Sequence, residues 1–315
     1  MEKSYRSLKG KSITITKYWW LKDFYCSNAL FNINFIAKKI INDKFFSRVG
    51  LKIIKKGGDC RPEEVSYITD ESLISLRNEK ISNFLGDYFS SCGIDIDSKF
   101  CLPLIEYYDS IFRKGEVSNL NGGMGYNNGL IFFILVSYFS PKSVIESGVW
   151  RGYTTLLLDG STPSDCQLYC FDINLRNTEY RSTKAKYFES DINNIDNILF
   201  ENFDFAFFDD HVSHYDRLCF CLKNNIKVVI MDDDVSIEQV HSDGWPPIPT
   251  AAMVFDYERI PHRFQWQTNG KCAEADIRNL EVKKIKDNYT HVRFPSLYQL
   301  TGYKDTSFTS VLVKK

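Results

Sequence analysis

"VIESGVWRGYTTLLL", residues 144–158, decides how this chain is read. An apolar run ends on the acidic Glu146, a turn holding Gly148 and Gly152 follows, and a second apolar run opens near Tyr153 and Thr154. Glycine lets a turn bend sharply and lets the backbone approach a ligand closely, while the helix that begins there presents its N-terminal amides. The spacing is G-x-x-x-G, not the G-x-G-x-x-G of a dinucleotide fingerprint, so a pyrophosphate is not the expected guest.

Working outward, residues from 130 onward alternate helical and strand-like segments. "LIFFILVSYF" reads as a helix and "KSVIES" as a strand; after the glycine turn come strands "QLYCFDI", "AKYFES", "FDFAFFDD" and "KVVIMDDD", with helix "HYDRLCFCLKNN" before the last. Nearly all-apolar strands alternating with helices predict an α/β fold, a doubly wound and mostly parallel sheet covered on both faces. Two late segments, "YTHVRFPSLYQL" and "SFTSVLVKK", are expected to pair as a C-terminal antiparallel hairpin at the edge of the sheet.

Ahead of this region, "TDESLISLRNEKISNFLGDYFSSCG" reads as a helix capped by Thr69 or Asp70, with Ile81, Phe84, Leu85 and Tyr88 as its stripe and Gly93 as its stop. "SKFCLPLIEYYDSIFRKG" reads as another, carrying Pro103 in its first turns and closed by Gly115. "NGGMGYNNG", residues 121–129, has the composition of a flexible loop, and the domain boundary is drawn there: a basic, helical extension over 1–117 and the α/β domain over 118–315. In the extension, Leu30, Ile33, Ala37, Ile40 and Ile41 recur at helical spacing.

The net charge of -1 hides an asymmetry: residues 1–57 carry 13 Lys/Arg against 3 Asp/Glu, a balance of +10, and the rest balance at -11. The basic face suits either packing on the main domain or contact with an anionic membrane or an acidic partner protein. Nine cysteines without a C-x-x-C pair point to reduced thiols and a cytoplasmic protein, at most at the inner face of the membrane. The longest apolar run, 129–139, is too short to span a bilayer.

Asp172 ends the strand after the glycine turn, where a carboxylate accepts hydrogen bonds from ribose hydroxyls, and Asp191 follows the third strand, near where an adenine amino group would lie. In order and spacing, "VIESGVWRGYTTLLL", "CFDIN", "FESD", "FAFFDDHVSHYDRL" and "VVIMDDDVS" resemble the class I S-adenosylmethionine-dependent methyltransferases over roughly residues 120–315. The resemblance implies a Rossmann-like domain in which Glu146, Gly148 and Gly152 shape the methionine end of the S-adenosylmethionine pocket, Asp172 holds the ribose and Asp191 lies by the adenine. Tyr126 would belong to a lid on the cofactor side. Arg151 has two open readings, a salt bridge to the cofactor carboxylate or a solvated side chain.

The donor methyl is already activated, so the protein must position an acceptor and take its proton, with a His base or with a divalent metal. Asp209, Asp210, His211 and His214 follow the fourth strand, and Asp232, Asp233 and Asp234 the fifth. Neighbouring strands lie ~4.8 Å apart, so such carboxylates converge, and a set of Asp without Cys suits magnesium or another hard cation. The pattern is similar to metal-dependent O-methyltransferases acting on small molecules and sugars, which assigns Asp210, Asp232 and Asp233 as metal ligands, with the pair Asp233 and Asp234 as the alternative register. His211 is the base candidate, and His214 a helix-face residue. Asp210 or Ser213 would also serve as a plain helix cap.

On the acceptor side, Trp245 with Pro246, Pro247 and Pro249 forms a stiff aromatic wall, and Asp243 is placed to orient an acceptor hydroxyl. The acceptor would be a small molecule or a sugar, in the wider case a surface glycan; an acidic catalytic edge disfavours nucleic acid. Tyr180 and Lys184 match a Y-x-x-x-K dehydrogenase motif too soon after the glycine turn for that fold, and are read as a chance match. Two rival readings stand beside the methyltransferase: a binding protein that keeps the adenosyl ligand without catalysis, and a metal-dependent α/β hydrolase using the Asp/His cluster. Oligomer formation is compatible with all three.

Overall fold

A computed structural model describes residues 68–117, 123–194, 203–243, 245–268 and 270–315. The helix expected around Leu30–Ile41, the basic segment and cysteines 26 and 60 lie outside the described residues. No described helix is long and apolar enough to cross a membrane.

The strands predicted from 143 to 231 all form: β1 (Ser143–Ser147), β2 (Gln167–Asp172), β3 (Ala185–Glu189), β4 (Phe205–Phe208) and β5 (Val228–Met231). They are parallel to one another, and the two late segments supply β8 (Tyr289–Arg293) and β9 (Ser310–Lys314). The 7-stranded sheet runs β3-β2-β1-β4-β5-β9-β8. The late pair is antiparallel as expected, but β9 inserts between β5 and β8, so the pair extends the sheet through β9. The strand order reverses between β1 and the parallel β4 beside it, which makes the switch point where ligands bind in open α/β sheets.

Side chains alternate across the pleat, which decides what each strand residue packs against. Val144, Phe205, Phe207, Val228, Ile230 and Val311 face one core, and their neighbours Ile145, Ala206, Phe208, Val229, Met231 and Leu312 face the other. The first core is covered by α1 (Glu71–Ser91), α2 (Ser98–Lys114), α3 (Tyr126–Phe139) and α4 (Tyr153–Ser161). The second is covered by α5 (His214–Lys223), α6 (Ala251–Phe255) and α7 (Val282–Asn288). The short α8 (Tyr298–Thr301) packs against α1.

Asp70 caps α1, its Oδ1 accepting from the Ser72 and Leu73 amides at 3.0 and 3.1 Å. Its buried stripe runs Ile81, Leu85, Phe89, whereas Phe84 is exposed. In α2 Pro103 sits within the helix, which Gly115 ends in the left-handed region. Arg77 of α1, Asp109 of α2 and Tyr126 of α3 form one buried polar chain, with ion pairing from Arg77 and a hydrogen bond from the Tyr126 hydroxyl meeting on Asp109.

Two features depart from the sequence-based expectation. The helix before β1 opens at Tyr126, inside the stretch expected to be loop, and Tyr126 through Val136 are all buried. Asn127 and Asn128 allow this because their amides donate to Tyr303 O, Asp305 Oδ1, Ser307 O and Thr309 Oγ1 at 2.7–2.9 Å. The second is a separate antiparallel hairpin, β6 (Arg263–Thr268) with β7 (Lys271–Asp276), inserted between α6 and α7.

Candidate active site

The site is built on the C-terminal ends of β1, β2, β4 and β5. Gly148 has φ +98°, and a β-carbon there would stand 2.1 Å from the Asp209 carbonyl oxygen. Gly152 has φ +86°, and a β-carbon there would stand 2.4 Å from the Tyr180 carbonyl oxygen. Both glycines are therefore required twice over, by the left-handed backbone and by contact with another chain segment. Trp150, between them, also adopts φ +45°.

Glu146 is fully buried. Its two oxygens accept from Thr154 Oγ1 at 2.5 Å and Thr155 Oγ1 at 2.7 Å, and the Cys170 thiol reaches the second at 3.1 Å. Burial pushes its carboxyl up against the pull of these donors. Asp172 closes the glycine turn: Oδ2 accepts from the Val149 and Trp150 amides at 3.0 and 2.7 Å, and Oδ1 from the Asn174 amide at 2.8 Å. Arg151 pairs with Glu179, a partner that neither of its two open readings named. Tyr180 and Lys184 both bind Asp159 on α4, a structural use in keeping with a chance motif match.

Tyr126, expected on a lid, is buried: its ring packs between Tyr303 and Phe112, and its hydroxyl is spent on Asp109. It connects to the glycine turn through Tyr108, whose hydroxyl lies 2.9 Å from the Tyr126 carbonyl and 2.8 Å from the Tyr153 hydroxyl.

Asp191 and Asp210 meet on one side chain. Arg217 Nη2 stands 2.8 Å from Asp191 Oδ2 and 2.8 Å from Asp210 Oδ2, and Arg217 is 1 % exposed. Asp210 also accepts from Ser147 Oγ at 2.5 Å and from the Val212 amide at 3.1 Å. Burial raises the Asp191 carboxyl, but the Arg217 bond and charge together with the Asn193 amide hold the group below the usual range. Sequence reasoning passed over Arg217. Its signal was present, since His214, Arg217, Leu218 and Cys221 form the inward stripe of α5 and an Arg on such a stripe demands partners.

Asp209, His211 and Asp233 are the acidic-edge residues that come together, one ligand atom of each lying within 4.8 Å of the others. His211 Nδ1 is 3.5 Å from Asp233 Oδ2, and both residues adopt φ +55°. Such backbone in non-glycine residues concentrates where a site needs it. Burial, with Asp232 and Asp233 alongside, pushes the Asp209 carboxyl well above the usual range. Burial with Asp232 and Asp243 pushes Asp233 up to about 8. Asp232 accepts from Ser307 and Thr309, and Asp234 binds His291 Nε2 at 2.7 Å and the Ala252 amide at 2.7 Å. Although burial raises the Asp234 carboxyl, His291 and His214 hold it well below the usual range. His214 is buried against α6, its Nδ1 accepting from the Ala251 amide at 3.1 Å, and Ser213 caps α5.

His211 also lines a cleft of about 590 Å³. One wall is Trp245, Pro246, Ile248 and Pro249, and the other is the β6–β7 hairpin with Trp266. Asp243 does not line this cleft; its Oδ1 accepts from the Trp245 amide at 2.8 Å and so shapes the loop.

No family model matches the sequence, and no curated protein matches it. Solved structures similar in fold include a candidate O-methyltransferase from Klebsiella pneumoniae, 15 % identical, covering 77 % of this chain and 100 % of its own, with TM-score 0.40. An O-methyltransferase from Streptomyces achromogenes involved in tomaymycin synthesis, in complex with S-adenosylmethionine, is 15 % identical over 75 % of this chain and 99 % of its own, with TM-score 0.38. An O-methyltransferase from Bacillus cereus in complex with S-adenosylhomocysteine is 13 % identical over 75 % of this chain and 100 % of its own, with TM-score 0.35.

Proposed function

We propose that the chain is an S-adenosylmethionine-dependent methyltransferase that acts on a hydroxyl of a small molecule or sugar. The observation that carries this reading is the position of residues 209–211. The Asp209 carbonyl lies against Gly148 of the glycine turn, and His211, two residues on, lines the cleft. A donor at the turn and an acceptor in the cleft would face one another across this segment.

A bound S-adenosylmethionine would supply the methyl carbon, its bond to sulfur giving way to one with the acceptor oxygen. The acceptor loses its proton to His211, which is exposed to the cleft and held by Asp233. Asp172 keeps the Val149 and Trp150 amides in the turn on Oδ2 and the Asn174 amide on Oδ1, leaving one Oδ1 lone pair for a ribose hydroxyl.

In the alternative route, with His211 a ligand instead of the base, Asp209, His211 and Asp233 would hold a hard divalent cation, because two carboxylates raised by burial and by neighbouring carboxylates gain most from a positive charge. A bound cation would lower the pKa of the acceptor hydroxyl. Asp210, with its Arg217 and Ser147 partners, would then hold the loop rather than the ion.

The test is calorimetric titration with S-adenosylmethionine and S-adenosylhomocysteine, with and without magnesium. Binding that weakens tenfold or more in Asp172→Ala supports the reading; folded protein that binds neither ligand overturns it.

A further inference from the structure

We propose that the cleft between the 245–249 loop and the β6–β7 hairpin is the acceptor site, that it takes a neutral pyranose ring, and that the Trp266 indole N–H is a specificity-determining donor. The proposal rests on the methyltransferase reading of the adjoining turn and on the hairpin, which lies outside the seven-stranded sheet.

Register within the hairpin creates the space. Trp266 pairs with Ala273, and Phe264 pairs with Ala275. The indole therefore stands beside two methyl side chains, and the volume above them is not filled by the hairpin itself. Across the cleft stands Trp245, 74 % exposed on a loop stiffened by Pro246 and Pro249. Two indoles on opposite walls offer apolar faces to a ring that carries C–H groups on its own faces.

Trp266 Nε1 is shielded from solvent and has no acceptor among the described residues. Buried N–H groups are nearly always satisfied, so an oxygen of the occupant is the natural partner. Part of the rim is polar: Thr268 and Lys271, on the Trp266 face of the hairpin, place a hydroxyl and an ammonium beside the same space. A flat phenol would strip water from these groups and give little back, whereas ring hydroxyls replace it. The Lys271 ammonium can donate to a ring hydroxyl, which a neutral sugar supplies. A volume of about 590 Å³ accommodates such a ring.

The test uses the full chain with S-adenosylhomocysteine and saturation-transfer NMR. Methyl α-D-glucopyranoside, methyl α-D-galactopyranoside and methyl α-D-mannopyranoside serve as probes, with catechol as the flat comparison. The expected result is ring-proton signal from at least one pyranoside and affinity about tenfold weaker in Trp266→Phe, which keeps a ring and loses the N–H. Ala273→Leu, which fills the slot from the opposite strand, should abolish the signal, with circular dichroism reporting the fold of both variants. Absence of any pyranoside signal, a catechol signal alone, or unchanged pyranoside affinity in both folded variants would overturn the proposal. Calorimetry with S-adenosylhomocysteine on the same samples reads the donor separately. Donor binding without pyranoside binding overturns the cleft proposal alone. Pyranoside binding without donor binding overturns the cleft's role as an acceptor site.

Discussion

Gly148 and Asp209 touch backbone to backbone, so closely that a single added carbon on the glycine would stand 2.1 Å from the Asp209 carbonyl oxygen. That contact joins the β1 turn to the loop carrying His211 and Asp210, and through Asp210 to Arg217. The glycine turn and the 209–211 loop are thus one mechanical unit.

Gly148→Ala should destabilise the protein by about 2–4 kcal/mol, since it combines left-handed strain with a clash against main chain that cannot swing aside. Gly93 is the internal control. It also has positive φ, but nothing lies within 4 Å of its missing β-carbon. Gly93→Ala should cost only roughly 1 kcal/mol. Urea denaturation of the two variants measures the difference, and equal costs would refute the contact argument.

Arg217→Met leaves Asp191 and Asp210 facing one another without their shared cation. Removing one partner from a buried charge network costs on the order of 3 kcal/mol. Arg217→Lys should recover part of this, because an ammonium supplies charge without the planar fork. Chemical unfolding followed by fluorescence checks both, and a loss below roughly 0.5 kcal/mol in the Met variant would contradict the bridging role.

The folded-state carboxyls of Asp209 and Asp233 are raised, Asp233 to about 8. For a raised carboxyl, the stabilising proton is fully held below the unfolded value near 4 and is lost as pH climbs through the folded value. Thermal stability of the metal-free protein should therefore fall between pH 5.5 and 8.5, and Asp233→Asn should flatten that fall by roughly 3 °C. Magnesium at millimolar concentration should raise the midpoint more at pH 8.5 than at pH 5.5, because protons compete with the ion. A magnesium effect independent of pH, or one unchanged in Asp233→Asn, would count against this cation site.

His211 has a side chain 57 % exposed, so His211→Ala should leave stability nearly unchanged. If it is the base, methyl transfer to the identified acceptor should slow by roughly 10²–10⁴ with S-adenosylmethionine affinity unaltered. Single-turnover kinetics beside calorimetry separates the two, and an equal loss of donor affinity would reassign His211 to binding.

Much of the fold was legible because local burial writes itself into periodicity. The runs 144–145, 205–208 and 228–231 are apolar on both alternating faces, which only a strand covered by helices on both sides requires. The β6–β7 hairpin was legible too: alternating Phe264, Trp266 and Thr268 lead into Asn269-Gly270, a hairpin signal that the reading passed over in favour of the Pro-rich loop beside it. Tyr126–Gly129 misled, because two Asn and a Gly have the composition of a loop. What holds them in a helix is a set of acceptors 176–181 residues away, with the Thr301 hydroxyl donating to Asn127 Oδ1.

By itself the sequence determined the parallel order of the first strands, the left-handed glycines of the turn, and the gathering of carboxylates at one edge of the sheet. Those follow from side-chain volume, alternation and backbone freedom, which are properties of neighbours along the chain. Only the tertiary structure decided how each carboxylate is used. Asp210 is taken by Arg217 and Ser147, Asp232 by Ser307 and Thr309, and Asp234 by His291, while Asp209 and Asp233 are left with His211. Adjacent aspartates are chemically alike in sequence. They diverge because successive residues point to opposite sides of the sheet edge, and each meets whatever charge or hydroxyl the distant chain delivers there.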